Sequence, residues 1–206
     1  MAEADDMPSA LVDLAFPLQG RDLPRDHRWL LAQALAEAAP WLSSDERAAV
    51  HPVNVVHGVG ERAWLSARSR LVLRVPRERI AALGELSGQE LQVGDSALRL
   101  GSPHGRELLP HATLYAHFVD AEALEELPFL DAIGEQLDRL GAACHRVCGR
   151  AQQVRGPDRP LKGFSLMLHG LRRRDSLRVL EQGLGPHRLM GCGVFVPHKS
   201  AAAVGD

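Results

Sequence analysis

The chain has 206 residues, of which 45% are apolar and 24% are charged, so it can form one large domain or two small ones with an apolar core. No apolar stretch approaches the ~20 residues of a membrane-spanning helix, and the acidic N-terminus MAEADDMPSA lacks the pattern of a secretory signal, so we expect a soluble cytoplasmic protein. The three cysteines cannot all pair with one another. The formal net charge of the whole chain is only −2, but this figure hides a difference between its two halves.

The first half of the chain predicts the element order β-α-β-β-α-β. Ala10–Leu18 alternates like a strand, and Asp26 is placed as the N-cap of a helix over His27–Ala39. In the next alternating strand, Arg70 and Arg74 share one face. We expect that face to be an exposed polar surface, and its alternative role is to line RNA. The remaining predicted elements are a short strand at Pro52–His57, the alternating strand Arg68–Val75, a helix at Arg77–Leu86 and a hairpin at Leu91–Leu100 around Gly94-Asp95.

The same element order recurs after Gly101–Pro110, which is predicted to be a linker. We therefore predict an α+β fold made of tandem ferredoxin-like, or RRM-like, lobes over residues 1–105 and 106–206. The predicted elements of the second lobe are a strand at Thr113–Val119, a helix at Phe129–Leu140 closed by Gly141, a hairpin of Ala151–Arg155 and Leu161–Leu168, a helix capped by Asp175 and ending at Gln182, and a strand at Val194–Val196.

Charge is distributed very unevenly along the chain. Residues 1–138 hold 12 Lys+Arg against 22 Asp+Glu, a net of −10, whereas residues 139–199 hold 12 against 3, a net of +9. Of the 24 basic residues, 22 are arginine, whose planar fork can give a phosphate two hydrogen bonds at once. The asymmetry predicts an anionic partner for the second half.

The segment from Leu171 to Lys199 is the strongest candidate for anion binding. It contains four glycines within 11 residues, which would let backbone N–H groups approach a phosphate closely. The spacing matches neither a Walker A loop nor a dinucleotide fingerprint, and the alternative is a glycine-rich turn that only packs the lobes together. The candidate phosphate-contacting residues are Arg172, Arg173, Arg174, Arg178, Gly183, Gly185, His187, Arg188, Gly191, Gly193 and Lys199.

This segment, a helix followed by the pattern GLGxxRxMGCGxFxP, resembles the CRISPR-associated repeat-RNA endoribonucleases of the repeat-associated mysterious protein superfamily. The stretches VDLAFPLQGRDLPRDHRWLLAQAL, HPVNVVHG and RSRLVLRVP stand in the order of the MYXAN subtype. The resemblance runs from about Val12 to Pro197. It implies cleavage of CRISPR precursor transcripts within the repeat by 2′-OH attack, without metal or cofactor, giving 2′,3′-cyclic phosphate and 5′-OH ends. It also implies that the protein stays bound to the repeat hairpin of the guide RNA, alongside other interference-complex subunits and away from membranes.

Among ten histidines, His27 is the first candidate for the catalytic base. The resemblance implies a catalytic histidine near the start of the first helix, and a helix N-terminus favours the neutral imidazole that a base requires. His51 is the second candidate. Many family members pair the histidine with a tyrosine and a lysine in the first half, but here the only tyrosine is Tyr115 and the first half has no lysine. The cation that stabilises the transition state is therefore expected to be an arginine, such as Arg28, or a residue of the second lobe.

Three alternative functions remain open. A non-catalytic subunit would bind the guide-RNA hairpin without cutting it. A zinc site would need Cys144, His145 and Cys148 to recruit Cys192 and His187, although the CxxC spacing is missing. A two-histidine phosphoesterase would use the motifs His111-Ala-Thr113 and His198-Lys-Ser200.

Overall fold

The computed structural model describes residues 8–121 and 125–198, which form two main antiparallel sheets, a small third sheet and four α-helices. The helices are α1 (Arg28–Ala38), α2 (Ile80–Gly84), α3 (Glu126–Leu140) and α4 (Arg173–Gln182). The strands are β1 (Leu11–Gln19), β2 (Asp22–Pro24), β3 (Ala49–Val50), β4 (Val56–His57), β5 (Arg62–Trp64), β6 (Arg70–Pro76), β7 (Glu90–Val93), β8 (Ser96–Leu100), β9 (His104–Glu107), β10 (Thr113–Ala121), β11 (His145–Val154), β12 (Leu161–His169) and β13 (Val196–Pro197).

The second half of the chain has the predicted ferredoxin-like order. Its elements run β10-α3-β11-β12-α4-β13, and its strands lie side by side in the order β11-β12-β10-β13. Gly141 follows the last residue of α3 and closes the helix. Its φ of 62° is the left-handed conformation expected at that position. Phe129 from α3, Val179 from α4 and Leu166 from β12 are buried in the core of this lobe.

Some predicted boundaries of the second half are wrong. Strand β11 begins at His145, six residues before the predicted start, because most of its side chains are exposed and give no apolar alternation. Helix α4 is preceded by Arg172 at the N-cap, and Asp175 lies in its first turn instead of capping it. The last strand is Val196–Pro197, displaced by two residues from the predicted one.

The first half is an elaborated version of the same fold. Its sheet has the order β3-β6-β1-β8-β7, and β9 also pairs with β1. The predicted strand at Pro52–His57 is reduced to Val56–His57, which joins β2 and β5 in the small sheet, in keeping with the missing N–H of Pro52. The predicted helix at Arg77–Leu86 is a 3₁₀ turn followed by the five residues of α2. The whole is α+β, with two ferredoxin-like lobes.

The predicted linker Gly101–Pro110 is not a free linker. Its residues His104–Glu107 form β9, which pairs antiparallel with Val12–Ala15 of β1. A boundary after residue 105 would cut this strand, so we propose that the first lobe ends after β9.

Arg74 does not lie on an exposed polar face as the alternation predicted. Its guanidinium is almost fully buried and donates to both carboxylate oxygens of Asp13, at 2.8 and 3.0 Å. It also donates to the backbone carbonyls of Leu180 and Phe195, at 2.7 and 3.2 Å. Because those carbonyls belong to the second half, Arg74 fastens the two lobes to each other.

Among the residues described, none of the helices is both long and apolar enough to cross a membrane.

Candidate functional site at the contact between the lobes

His27 lies at the start of α1, immediately after the small sheet. It occupies the N-cap position, and its backbone carbonyl accepts a 2.7 Å hydrogen bond from Leu31 N. The predicted cap, Asp26, instead accepts a 2.6 Å hydrogen bond from the backbone N–H of Arg155 in the second lobe. The turn before α1 is therefore held by the neighbouring lobe.

The two ring nitrogens of His27 have different surroundings. Nδ1 lies 3.0 Å from the carbonyl oxygen of Pro24, and because a carbonyl can only accept, Nδ1 carries the proton of the neutral ring. Nε2 makes no hydrogen bond to the described residues, and unlike Nε2 of His51 it is not among the fully buried atoms that lack a partner, although only 7% of His27 is exposed. The pKa of His27 is lowered, mainly by burial and further by the neighbouring Arg28. The hydrogen bond to Pro24 acts in the opposite direction and raises the pKa. The ring is thus a neutral imidazole with Nε2 free to accept a proton.

Arg28 reaches from α1 into the glycine-rich segment. Its Nη1 donates to the carbonyls of Met190 and Gly191, at 3.3 and 3.0 Å, and its guanidinium lies 5.8 Å from the ring centre of Phe118. A buried apolar cluster fills the contact between the two lobes. It includes Ala32 from the first lobe and Cys192 from the second. His27 therefore lies beside a packed junction of the lobes.

The loop between β11 and β12 brings basic residues to this junction that the sequence analysis did not select. Arg155 is fixed by its backbone bond to Asp26, the residue before His27, and Arg159 follows in the same loop. Both side chains are exposed. The only signal in the sequence was two arginines in the turn RGPDRP, which was interpreted as a hairpin connection.

His51, the second catalytic candidate, is buried at the contact between the lobes, beside Asp13 and Arg74. Its Nε2 lies 3.2 Å from Oδ1 of Asp13, and burial lowers its pKa, against the pull of Asp13, which raises it. Burial raises the pKa of Asp13, but His51 and Arg74 together bring it well below the usual range. His51 and His27 are equally exposed as residues, at 7%, but Nε2 of His51 is itself buried and faces the Asp13 carboxylate, so His51 is poorly placed to meet a substrate.

The glycines after α4 are required by the packing of the backbone. Gly183, Gly185, Gly191 and Gly193 all have positive φ. A Cβ at Gly183 would lie 2.5 Å from the carbonyl oxygen of Gly193, and one at Gly191 would lie 3.1 Å from the carbonyl oxygen of Val50 in the first lobe. The packing interpretation of these glycines thus has direct structural support.

We expect Gly193→Ala to lower the free energy of unfolding by about 1–3 kcal/mol. A methyl group there would overlap the carbonyl oxygen of Leu184, and φ is +62°, so both space and conformation oppose it. Gly88→Ala is the matched control, because Gly88 has a φ of +80° with nothing within 4 Å of the added Cβ. Urea denaturation checks the pair, and equal losses in the two variants would contradict the packing argument.

The candidate basic residues do not converge on one spot. Arg172, Arg173 and Arg174 are exposed at the start of α4, about 15 Å along the helix from the glycine-rich segment that follows its end. Arg178 donates to the carbonyls of Leu140 and Gly141, at 3.2 and 3.0 Å.

Arg188 donates to the carbonyls of Glu181 and Gln182, at 2.8 and 2.5 Å, and burial lowers its pKa to about 10. His187 has a φ of 64°, and its Nε2 lies 3.5 Å from Asp120 Oδ2. Lys199 lies outside the described residues. The exposed cations at the start of α4 therefore form a surface separate from the glycine-rich segment.

The described residues give no support to the zinc alternative, whereas the two phosphoesterase motifs do lie next to each other, since His198 N donates a 3.1 Å hydrogen bond to the Thr113 carbonyl. Across residues 8–121 and 125–198, no group of three or more His, Cys, Asp or Glu is close enough to hold a metal, and Cys192 is buried in a different cluster from Cys144 and Cys148. In the phosphoesterase motifs, the His198 ring lies 5.3 Å from the ring of Tyr115, and Ser200 is outside the described residues.

Comparison with known proteins gives a consistent result. The family model described as Cas6 Crispr matches residues 12–200. The CRISPR-associated endonuclease Cas6 of Myxococcus xanthus (strain DK1622) is 38% identical over 194 residues, which cover 94% of this chain and 84% of that protein. A solved CRISPR associated protein Cas6 matches with a TM-score of 0.65 and 11% identity, over 93% of this chain and 100% of that one. A Cas6-related protein from Pyrococcus furiosus matches with a TM-score of 0.63 and 12% identity, over 91% and 98%.

Proposed function

Since this chain belongs to the Cas6 family, we propose that it is the endoribonuclease that cuts CRISPR precursor transcripts within each repeat. The observation that carries the proposal is the His27 ring beside the lobe contact, with Nδ1 held by the Pro24 carbonyl and Nε2 without a hydrogen bond among the described residues. A base that is fixed at one nitrogen and free at the other is suited to taking a proton from a bound substrate.

The proposed chemistry is a transesterification. Nε2 of His27 takes the proton of a ribose 2′-OH, whose oxygen forms a bond to the adjacent phosphorus. The bond from phosphorus to the 5′-oxygen breaks, and the leaving oxygen takes a proton from water, while His27 later releases its proton to solvent. The products are a 2′,3′-cyclic phosphate and a 5′-OH. We propose that the step needs no metal and no cofactor, because the imidazole supplies the base and the extra charge on phosphorus can be met by arginine.

Two arginines are candidates for meeting that charge. Arg28 adjoins His27, but its Nη1 is already used by two carbonyls, and only the rest of the guanidinium is available. Arg155 is exposed and its backbone is fixed to Asp26. Arg155 is therefore the stronger candidate for contacting the scissile phosphate.

We further propose that the basic second lobe holds the repeat hairpin by its phosphates and its A-form shape. Exposed Arg172, Arg173 and Arg174 would form the contact surface. The predicted phosphate contact through glycine N–H groups is not supported, because those of Gly183, Gly185, Gly191 and Gly193 already donate within the protein. After cleavage the protein would stay bound to the hairpin of the guide RNA and contact other interference-complex subunits. We propose that it acts in the cytoplasm.

The function is tested by incubating the protein with repeat RNA from its own CRISPR array, with and without EDTA. We expect cutting at one position in both conditions, and no cutting when the ribose upstream of that position is 2′-deoxy. Loss of activity in EDTA would overturn the metal-independent mechanism. Tight hairpin binding without any cutting would identify the protein instead as the non-catalytic guide-RNA subunit.

The pH dependence of cleavage follows from the lowered pKa of His27. A general base must be neutral, so a pKa below 6.5 keeps His27 competent under mildly acidic conditions. We expect the single-turnover rate to hold as pH falls to 6.5 and to decline only below it. An acid-side inflection at or above 6.5 would contradict this, and the residual rate of His27→Ala, which has no imidazole at this position, is the control.

A further inference from the structure

A cavity of about 630 Å³ lies in the second lobe, away from His27. It is bounded by α3, the end of β10, the start of β12 and the glycine-rich segment, which contributes Gly185 and Pro186. This volume lies within the range of small-molecule and nucleotide sites. Nothing in the proposed cleavage step uses the cavity.

The inner wall of the cavity is apolar and suited to a flat ring. Phe129, Ile133 and Leu161 line it and are themselves buried, and the proline rings of Pro128 and Pro160 stand at its edge. Aromatic and apolar walls of this kind hold nucleobases by stacking.

Polar groups line the same space. Gln136 Oε1 accepts a 2.8 Å hydrogen bond from Gly185 N, which fixes the amide and leaves Nε2 without a partner among the described residues. Asp120 presents a carboxylate at the wall, and its Oδ2 lies 3.5 Å from His187 Nε2. An amide donor and a carboxylate acceptor together can recognise the edge of a base.

Two cations stand at the mouth of the cavity. Arg159 and Lys162 line it and are exposed, and within the described part of the chain neither forms an ion pair with a carboxylate. Arg159 also lines a neighbouring depression that reaches Asp26, the residue before His27. A strand of RNA bound near His27 would therefore reach the cavity along a depression that carries Arg155 and Arg159 as well as two aspartates.

We infer that the cavity binds one unpaired nucleotide of the RNA, with its base against Phe129 and its phosphate on Arg159 and Lys162. Asp120 can accept a hydrogen bond from the edge of the base and Gln136 Nε2 can donate one to it, and each of the four bases offers a donor beside an acceptor. The inference rests on the proposed function, since it takes the bound RNA as the source of the nucleotide.

The test first fills the cavity with a larger side chain of the protein, and then removes single bases from the RNA. Ala132 is exposed on α3 and lines the cavity, so Ala132→Trp should occupy the space without disturbing the core. Glu135→Trp is the matched control, because Glu135 is exposed on the same helix and does not line the cavity. Repeat RNAs with each unpaired nucleotide made abasic in turn are bound to each variant.

We expect one abasic position to weaken binding about ten-fold in wild type and in Glu135→Trp. The same substitution should have no further effect in Ala132→Trp, whose affinity for intact RNA is already about ten-fold lower. Wild-type affinity of Ala132→Trp, or the absence of any position coupled to it, would overturn the inference.

A second measurement separates this inference from the proposed cleavage. AMP, CMP, GMP and UMP are titrated against the whole protein and followed by NMR, with no repeat RNA present. We expect the nucleotides to bind wild type and Glu135→Trp, and to bind Ala132→Trp about ten-fold more weakly. A protein that cuts repeat RNA but binds none of these nucleotides at the cavity would retain the proposed function and lose the nucleotide site.

Discussion

Replacing His27 by alanine is expected to slow cleavage of repeat RNA by about 10²- to 10⁴-fold, the usual contribution of a positioned general base. The loss should appear in the single-turnover rate at saturating protein, and the affinity for the RNA should change little. The reason is geometric: the hydrogen bond from Nδ1 goes to the backbone carbonyl of Pro24, so removing the ring takes away Nε2 while the basic surface of the second lobe remains.

His111→Ala is the matched control for this experiment. His111 is exposed before β10, and it would carry the chemistry in the two-histidine phosphoesterase alternative. We expect His111→Ala to cut at the wild-type rate. A full rate in His27→Ala, or a loss confined to His111→Ala, would remove His27 from the mechanism.

Replacing Arg74 by methionine is expected to lower the free energy of unfolding by about 3–5 kcal/mol, the cost of breaking a buried ion pair from one side. The change leaves Asp13 buried beside His51 and leaves the carbonyls of Leu180 and Phe195 without their donor. Chemical denaturation gives the measurement.

Arg70→Ala is the control on the same strand, because Arg70 is partly exposed and donates only to the nearby carbonyls of Ala67 and Ser69. It should cost about 0.5 kcal/mol. Asp13→Asn combined with Arg74→Met should cost clearly less than the two single changes added together. Additive losses would contradict the paired arrangement.

The candidate site was only partly accessible from the sequence. The position of His27 could be predicted, because resemblance and the start of a helix both depend on local sequence. The roles of Arg178 and Arg188 could not, since both turn inward to backbone carbonyls that the fold brings to them. Arg155 was missed because its place beside His27 depends on a contact between residues 129 positions apart.

The sequence by itself determined the α+β class, the order of elements in the second lobe, the turn at Gly141 and the family, because each is written in local periodicity, turn chemistry or a continuous motif. Only the tertiary structure decided that Arg74 is buried, that the linker contains a strand, and that the glycines after α4 serve close backbone packing. These depend on what the opposite lobe presents, since an alternating strand looks the same from its own residues whether its charged face meets water or a buried carboxylate. Burial and pairing are properties of two surfaces in contact, and a single stretch of sequence specifies only one of them.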